Sequence, residues 1–150
     1  MLIDKAEIRS LIPHAGTMCL LDAVAAWDEQ SITCLTDTHR DPANPLRREG
    51  RLSVLHAIEY GAQAAAIHGA LCARAAGRTA SPGYLVALRD ARWSVAELDG
   101  IAALLEVVAR PLLGDTGSWI YAIQISATGR LLAEARITIV LQQPKIGARP

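Results

Sequence analysis

In the run H-A-I-E-Y-G-A-Q-A-A-A, a carboxylate, an imidazole and a carboxamide stand among residues that are otherwise small and apolar. His56, Glu59 and Gln63 are spaced i, i+3 and i+7, which on a helix places them along one face. A carboxylate in such company must be solvated, paired or used. The solvated reading makes this face the wet side of a helix. The chemical reading makes it a place where a carboxyl gives or takes a proton.

The element that must position these groups is the proline-free stretch between Gly50 and Gly77. It is dense in alanine and ends on a glycine suited to a C-terminal cap, so one long helix is expected from about Leu55 to Ala76. At 1.5 Å per residue it is roughly 33 Å long, enough to cross a small domain. It is apolar nearly all round, and so should be buried or wrapped.

The rest of the chain reads as strands. Ile3 to Leu11 is a short amphipathic helix with Asp4 as its N-cap, closed by Pro13. Met18–Trp27 and Ser31–Asp37 make a hairpin. The segment that follows, T-H-R-D-P-A-N-P-L-R-R-E-G, is kept irregular by Pro42 and Pro45. After the long helix, strands are expected at Tyr84–Val95, Ile101–Leu112, Ser118–Ala127 and Leu131–Leu141, the last two alternating and joined by the tight turn T-G-R. The tail from Gln142 reads as frayed. Six strands, antiparallel by their short turns, can bury one face only by curling round something, and the long helix is the only filling available.

A length of 150 residues suits one domain. Fifteen basic and fifteen acidic side chains leave no net charge to draw nucleic acid or an anionic membrane. Cys19, Cys34 and Cys72 are widely spaced without a C-x-x-C pair, which suggests neither a disulfide framework nor a zinc site and fits a reducing cytoplasm. The N-terminus lacks the apolar core of a signal peptide, and no apolar run reaches the ~20 residues of a membrane span. Without a G-x-G-x-x-G or a P-loop, no nucleotide cofactor is implied. No metal is expected either, since His56, Glu59 and His68 do not share a face at ligand spacing.

A sheet wrapped round a central helix is the hotdog architecture, an α+β fold. In order and spacing the chain resembles the hotdog-fold dehydratases of 3-hydroxyacyl chains on acyl carrier protein, in particular the small branch of aryl-polyene and polyketide-type pathways. The opening L-I-P-H-A-G-T-M-C-L-L-D-A-V is similar to that family's opening turn and strand, and E-Y-G-A-Q-A-A-A to its central helix. Y-L-V-A-L-R-D-A-R-W, L-L-E-V-V-A-R and G-R-L-L-A-E-A-R-I-T-I-V are similar to its later strands.

The resemblance implies that Glu59 is the helix carboxylate and Gln63 the helix glutamine that orients it. The catalytic histidine belongs to the loop before the helix, where His39 is the histidine present, at a longer spacing from the carboxylate than is common in the family. Two readings stay open: a longer loop delivers His39, or Asn44 stands in its place. The P-G pair that enters the family's helix is replaced by Ser53 and Val54.

The implied reaction takes a proton from C2 of a 3-hydroxyacyl thioester and protonates the hydroxyl leaving C3. A neutral imidazole suits the first task, and a carboxyl whose pKa is raised by burial suits the second. The thioester oxygen also needs donors, for which the backbone N–H groups of Ser53 to Leu55 at the helix start are candidates. His56 is expected to pack beside the site or to substitute as base; His14 and His68 are expected to be structural. Arg47, Arg48 and Arg51 could meet an acidic carrier or a phosphopantetheine phosphate, or form a solvated loop. The partners implied are an acyl carrier protein or coenzyme A thioester and a second copy of the chain in a homodimer, with no cofactor. Two alternatives are an acyl thioesterase on the same fold and a non-catalytic acyl-binding or partner subunit.

Overall fold

The computed structural model describes residues 2–13 and 16–142; His14 and the tail beyond Gln142 lie outside the described residues. In chain order the elements are β1 (Ile3–Asp4), α1 (Lys5–Leu11), β2 (Ala23–Asp28), β3 (Ser31–Thr36), α2 (Ala57–Ala75), β4 (Gly83–Trp93), β5 (Leu105–Gly114), β6 (Ser118–Ala127) and β7 (Arg130–Leu141). Single 3-10 turns stand at 16–18, at Thr38–Arg40 and at Val54–His56, the last leading directly into α2. The seven strands form one antiparallel sheet in the order β1-β2-β3-β5-β6-β7-β4. It curls round α2, as the hotdog fold requires.

A 3-10 turn capped by Ser53 leads into α2, and the C-terminal end of α2 follows from Gly77. The Ser53 hydroxyl accepts from the Leu55 N–H at 3.2 Å. At the other end Gly77 takes a φ of +70°, its N–H reaches Arg74 O, and the Arg78 N–H reaches Ala73 O, the paired bonds of a Schellman cap. Between them Tyr60, Ala64, Ile67 and Leu71 are buried against the sheet. Gly61 lets the helix lie close, because a Cβ there would overlap Ile123 of β6. Among the described residues no helix is long and apolar enough to cross a membrane.

Two expectations are corrected. Met18–Leu21 does not join the sheet, although Cys19, Leu20 and Leu21 are fully buried; β2 begins at Ala23. An apolar run reads like a strand, but its backbone partner here is a side chain of α2. The helix is also not wrapped on all sides. It packs on β3, β5 and β6 and reaches β7, leaving a face of Leu55, Glu59, Ala62, Ala66 and Gly69 exposed or half-buried.

β4 is a strand as expected, and it lies at the edge of the sheet with its main packing against β7 alone. Leu85 and Leu88 pair with Ile139 and Ile137, so they share the face that on β7 looks into the core. They are nonetheless exposed, as are Tyr84, Val86 and Trp93. The main packing of α2 is on β3, β5 and β6.

Candidate active site

His39 lies in the turn Thr38–Arg40 between β3 and α2 and has no exposed surface. Its Nε2 is 2.9 Å from the carbonyl oxygen of Ile101. A carbonyl only accepts, so Nε2 carries the proton and Nδ1 holds a lone pair. Nδ1 is buried and has no hydrogen-bond partner among the described residues. Burial, which disfavours the charged ring, pushes the imidazole below its ordinary 6.5 despite the Ile101 carbonyl and the nearby Asp37 carboxylate. At pH 7 the ring is neutral.

The path of the chain explains this placement. Segment 96–103 runs beneath the start of α2, with Ala96 O accepting from Val54 N at 2.9 Å and Leu98 N donating to Leu52 O at 2.8 Å. Asp99 Oδ1 accepts from Leu52 N at 2.9 Å. The same segment carries the Ile101 carbonyl to His39. From the other side, Arg47 Nη2 donates to the His39 carbonyl at 3.1 Å and Nη1 to Gly50 O at 2.7 Å.

A chain of hydrogen bonds ties this turn to the helix. Asn44 Nδ2 donates to Tyr60 Oη at 3.0 Å, Tyr60 Oη lies 2.9 Å from Thr38 Oγ1, and Thr38 Oγ1 donates to Leu20 O at 2.7 Å. With the Thr38 proton on Leu20 O, the Tyr60 proton points to Thr38. Burial raises the Tyr60 pKa, so the hydroxyl keeps its proton. Gln63 Oε1 accepts from Leu20 N at 2.9 Å and Nε2 donates to Met18 O at 2.7 Å, which is how the strandless run 18–21 is satisfied. Asn44 also donates to Thr38 O at 2.9 Å and accepts from Leu46 N at 2.9 Å.

Glu59 is half-buried beside Tyr60 and has no hydrogen bond to any described residue. His39 and Glu59 each adjoin one member of the Thr38–Tyr60 bond, although no hydrogen bond links the two side chains directly. An imidazole and a carboxylate thus belong to one scaffold, with the imidazole's acceptor nitrogen open among the described residues.

A family model described as ApeP-like, ApeP dehydratase, matches residues 6–148. The chain belongs to this dehydratase family. Among solved structures it is similar to the dehydratase heterocomplex ApeI:P from Xenorhabdus doucetiae, with a TM-score of 0.82, 24% identity and 91% of each chain covered. A thioesterase from Pseudomonas aeruginosa follows at a TM-score of 0.65 and 15% identity over 94% of this chain and 95% of that one. Zebra fish thioesterase superfamily member 2 gives 0.65 and 15% over 92% and 95%. At these identities the likeness shows the shared fold alone. A comparison with curated proteins gave no match.

Within this ApeP-like dehydratase several expected site residues have internal partners. The amides of Asn44 and Gln63 are committed to backbone groups and to Tyr60, so both hold the scaffold, and the shared face of His56, Glu59 and Gln63 is broken because run 18–21 covers Gln63. The Val54 and Leu55 N–H groups at the helix start are taken by Ala96 O and Ser53 Oγ, leaving the Ser53 N–H without a partner among the described residues. Ser53 and the half-buried His56 line a shallow hollow of about 220 Å³ with Arg48, Arg51 and Glu97. Arg51 is already bidentate to Glu97 at 2.6 and 2.8 Å. Of the three arginines Arg48 has the fewest side-chain hydrogen bonds among the described residues, its Nη1 donating only to Arg47 O at 3.3 Å.

His68 is structural as expected, buried between Tyr121 and the Asp28 carbonyl. Among the described residues no group of three or more His, Cys, Asp or Glu side chains converges as a metal site would require. Tyr60, Thr38 and the Ile101 carbonyl were missed in the sequence. For Tyr60 a signal was present: it is a lone hydroxyl on the helix, next to the carboxylate.

Proposed function

We propose that this dehydratase acts on 3-hydroxyacyl thioesters carried by acyl carrier protein or, as a lesser substrate, by coenzyme A, with His39 as base and Glu59 as acid. His39 Nδ1 takes the C2 proton, the C2–H electrons become the C2=C3 double bond, and the C3–O bond breaks as the Glu59 carboxyl protonates the departing hydroxyl to water. Return of the proton from His39 to Glu59 through solvent restores the pair. The observation that carries this reading is the buried, neutral imidazole whose tautomer is fixed with Nδ1 unoccupied. The Ser53 N–H is the candidate donor to the thioester oxygen, and Arg48 the candidate contact for a phosphate or an acidic carrier. No cofactor is required, and three unpaired thiols fit a cytoplasmic setting.

The working unit we propose is a homodimer formed across β4. The run Tyr84–Leu88 carries no charge, so two antiparallel copies can meet edge to edge without like charges opposed, pairing N–H and C=O groups that are otherwise open. Light scattering at assay concentration tests it: twice the chain mass is expected, and a Val86→Lys variant should be monomeric. A monomer that associates only with a related dehydratase chain, the arrangement named for the Xenorhabdus complex, would replace the homodimer with a heteromeric one.

Intact-mass spectrometry of 3-hydroxyacyl carrier proteins incubated with the pure protein tests the reaction. Loss of one water with the thioester intact is expected. A freed carrier thiol would instead make it a thioesterase, and an unchanged substrate that stays bound would make it an acyl-binding subunit. Turnover undiminished in Glu59→Gln would remove Glu59 from the mechanism.

A further inference from the structure

We propose that Tyr60 is a positioning residue for His39, acting through Thr38 and resting on the assignment of His39 as base. The turn that carries His39 has three residues, too few to hold a side chain by its own hydrogen bonds. Its neighbours do so instead. Thr38 is gripped at its hydroxyl by Tyr60, Leu20 and Thr36, at its N–H by the Thr36 hydroxyl and at its carbonyl by Asn44, and Asn44 is itself bonded to Tyr60. The Tyr60 hydroxyl is therefore the node where the helix, the turn and the loop after it meet. Because Tyr60 adjoins Glu59, the same node fixes the spacing between the backbones that carry base and acid.

The Tyr60 ring is fully buried and the hydroxyl is its only polar group. In Tyr60→Phe the packing stays while Thr38 loses a donor and Asn44 an acceptor. The turn is then held at fewer points and water gains access to the imidazole. The charged groups near His39 and Tyr60 are Asp37 and Arg40 of the turn, Arg47 of the following loop and Asp22 before β2. All four are unchanged by the substitution, so a moved His39 titration reports position and hydration.

The experiment measures kcat and KM across pH for wild type, Tyr60→Phe, Thr38→Val and Thr38→Ser, with the His39 titration followed in parallel by NMR. Tyr60→Phe and Thr38→Val should lower kcat about ten- to a hundred-fold at nearly constant KM, as sub-ångström misplacement of a reacting group does. Their acid limb and NMR midpoint should both rise toward 6.5, and Thr38→Ser should restore both. The NMR midpoint is read without turnover. A shift there in a protein that dehydrates nothing would therefore uphold the positioning role while removing the proposed reaction. Unchanged kcat and midpoint in Tyr60→Phe, or equal losses in Thr38→Val and Thr38→Ser, would overturn it.

Discussion

Two histidines in this molecule are buried to nearly the same degree and both are held below their ordinary 6.5 by desolvation. Each uses Nε2 on a backbone carbonyl, His39 on Ile101 at 2.9 Å and His68 on Asp28 at 2.8 Å. They part at the other nitrogen. His68 Nδ1 receives the Tyr121 hydroxyl at 2.8 Å, joining α2 to β6 and to the β2–β3 turn in a closed network. His39 Nδ1 receives nothing among the described residues. A buried acceptor left open costs stability of about 1–3 kcal/mol. Burial and a fixed tautomer are therefore common to both histidines, and the unsatisfied lone pair distinguishes His39, as the proposed role of base requires.

The largest expected effect is on activity. His39→Ala should lower kcat about 10²–10⁴-fold, the usual share of acid–base help. His68→Leu should leave kcat within about threefold, and steady-state assays of the two variants side by side check the contrast. A large loss of kcat in a folded His68→Leu would erase the distinction.

Stability should respond in the opposite sense. His68→Leu strands the buried Tyr121 hydroxyl and should cost about 1–3 kcal/mol in urea unfolding. Adding Tyr121→Phe removes the stranded group as well, so the double variant should recover part of the loss.

The pH dependences sharpen the comparison further. Protonation removes the lone pair of His39, so kcat/KM should fall as pH drops, with a midpoint below 6.5. Stability should follow a related course for both rings. Their folded pKa values lie below the unfolded value, so the unfolded chain binds protons first as pH falls. The stabilisation is complete above 6.5 and is lost progressively below it. The smallest effect expected is a shallower decline in His68→Leu, read from urea midpoints measured on either side of 6.5.

What the sequence made legible was local. The C-terminal end of α2 follows from Gly77, and β6 and β7 from alternation over their lengths, because caps and pleats are decided by near neighbours. The site depended on long-range partners. The carbonyl that fixes the tautomer of His39 belongs to Ile101, and the amide that satisfies run 18–21 belongs to Gln63, each brought in by the fold from a distant part of the chain. Helical spacing grouped Gln63 with Glu59, but whether a side chain on that face meets solvent or a loop is set by what folds over it. The same limit applied to β4, whose pattern gives a strand and cannot give its position in the sheet.

That bare edge also bears on how the protein is made. Among the described residues nothing pairs with the outer edge of β4, and a strand of eleven residues carrying Tyr84, Leu85, Val86 and Leu88 is a template for any other extended chain until it is covered. In the proposed homodimer, soluble yield should therefore depend on how quickly two copies find one another during synthesis.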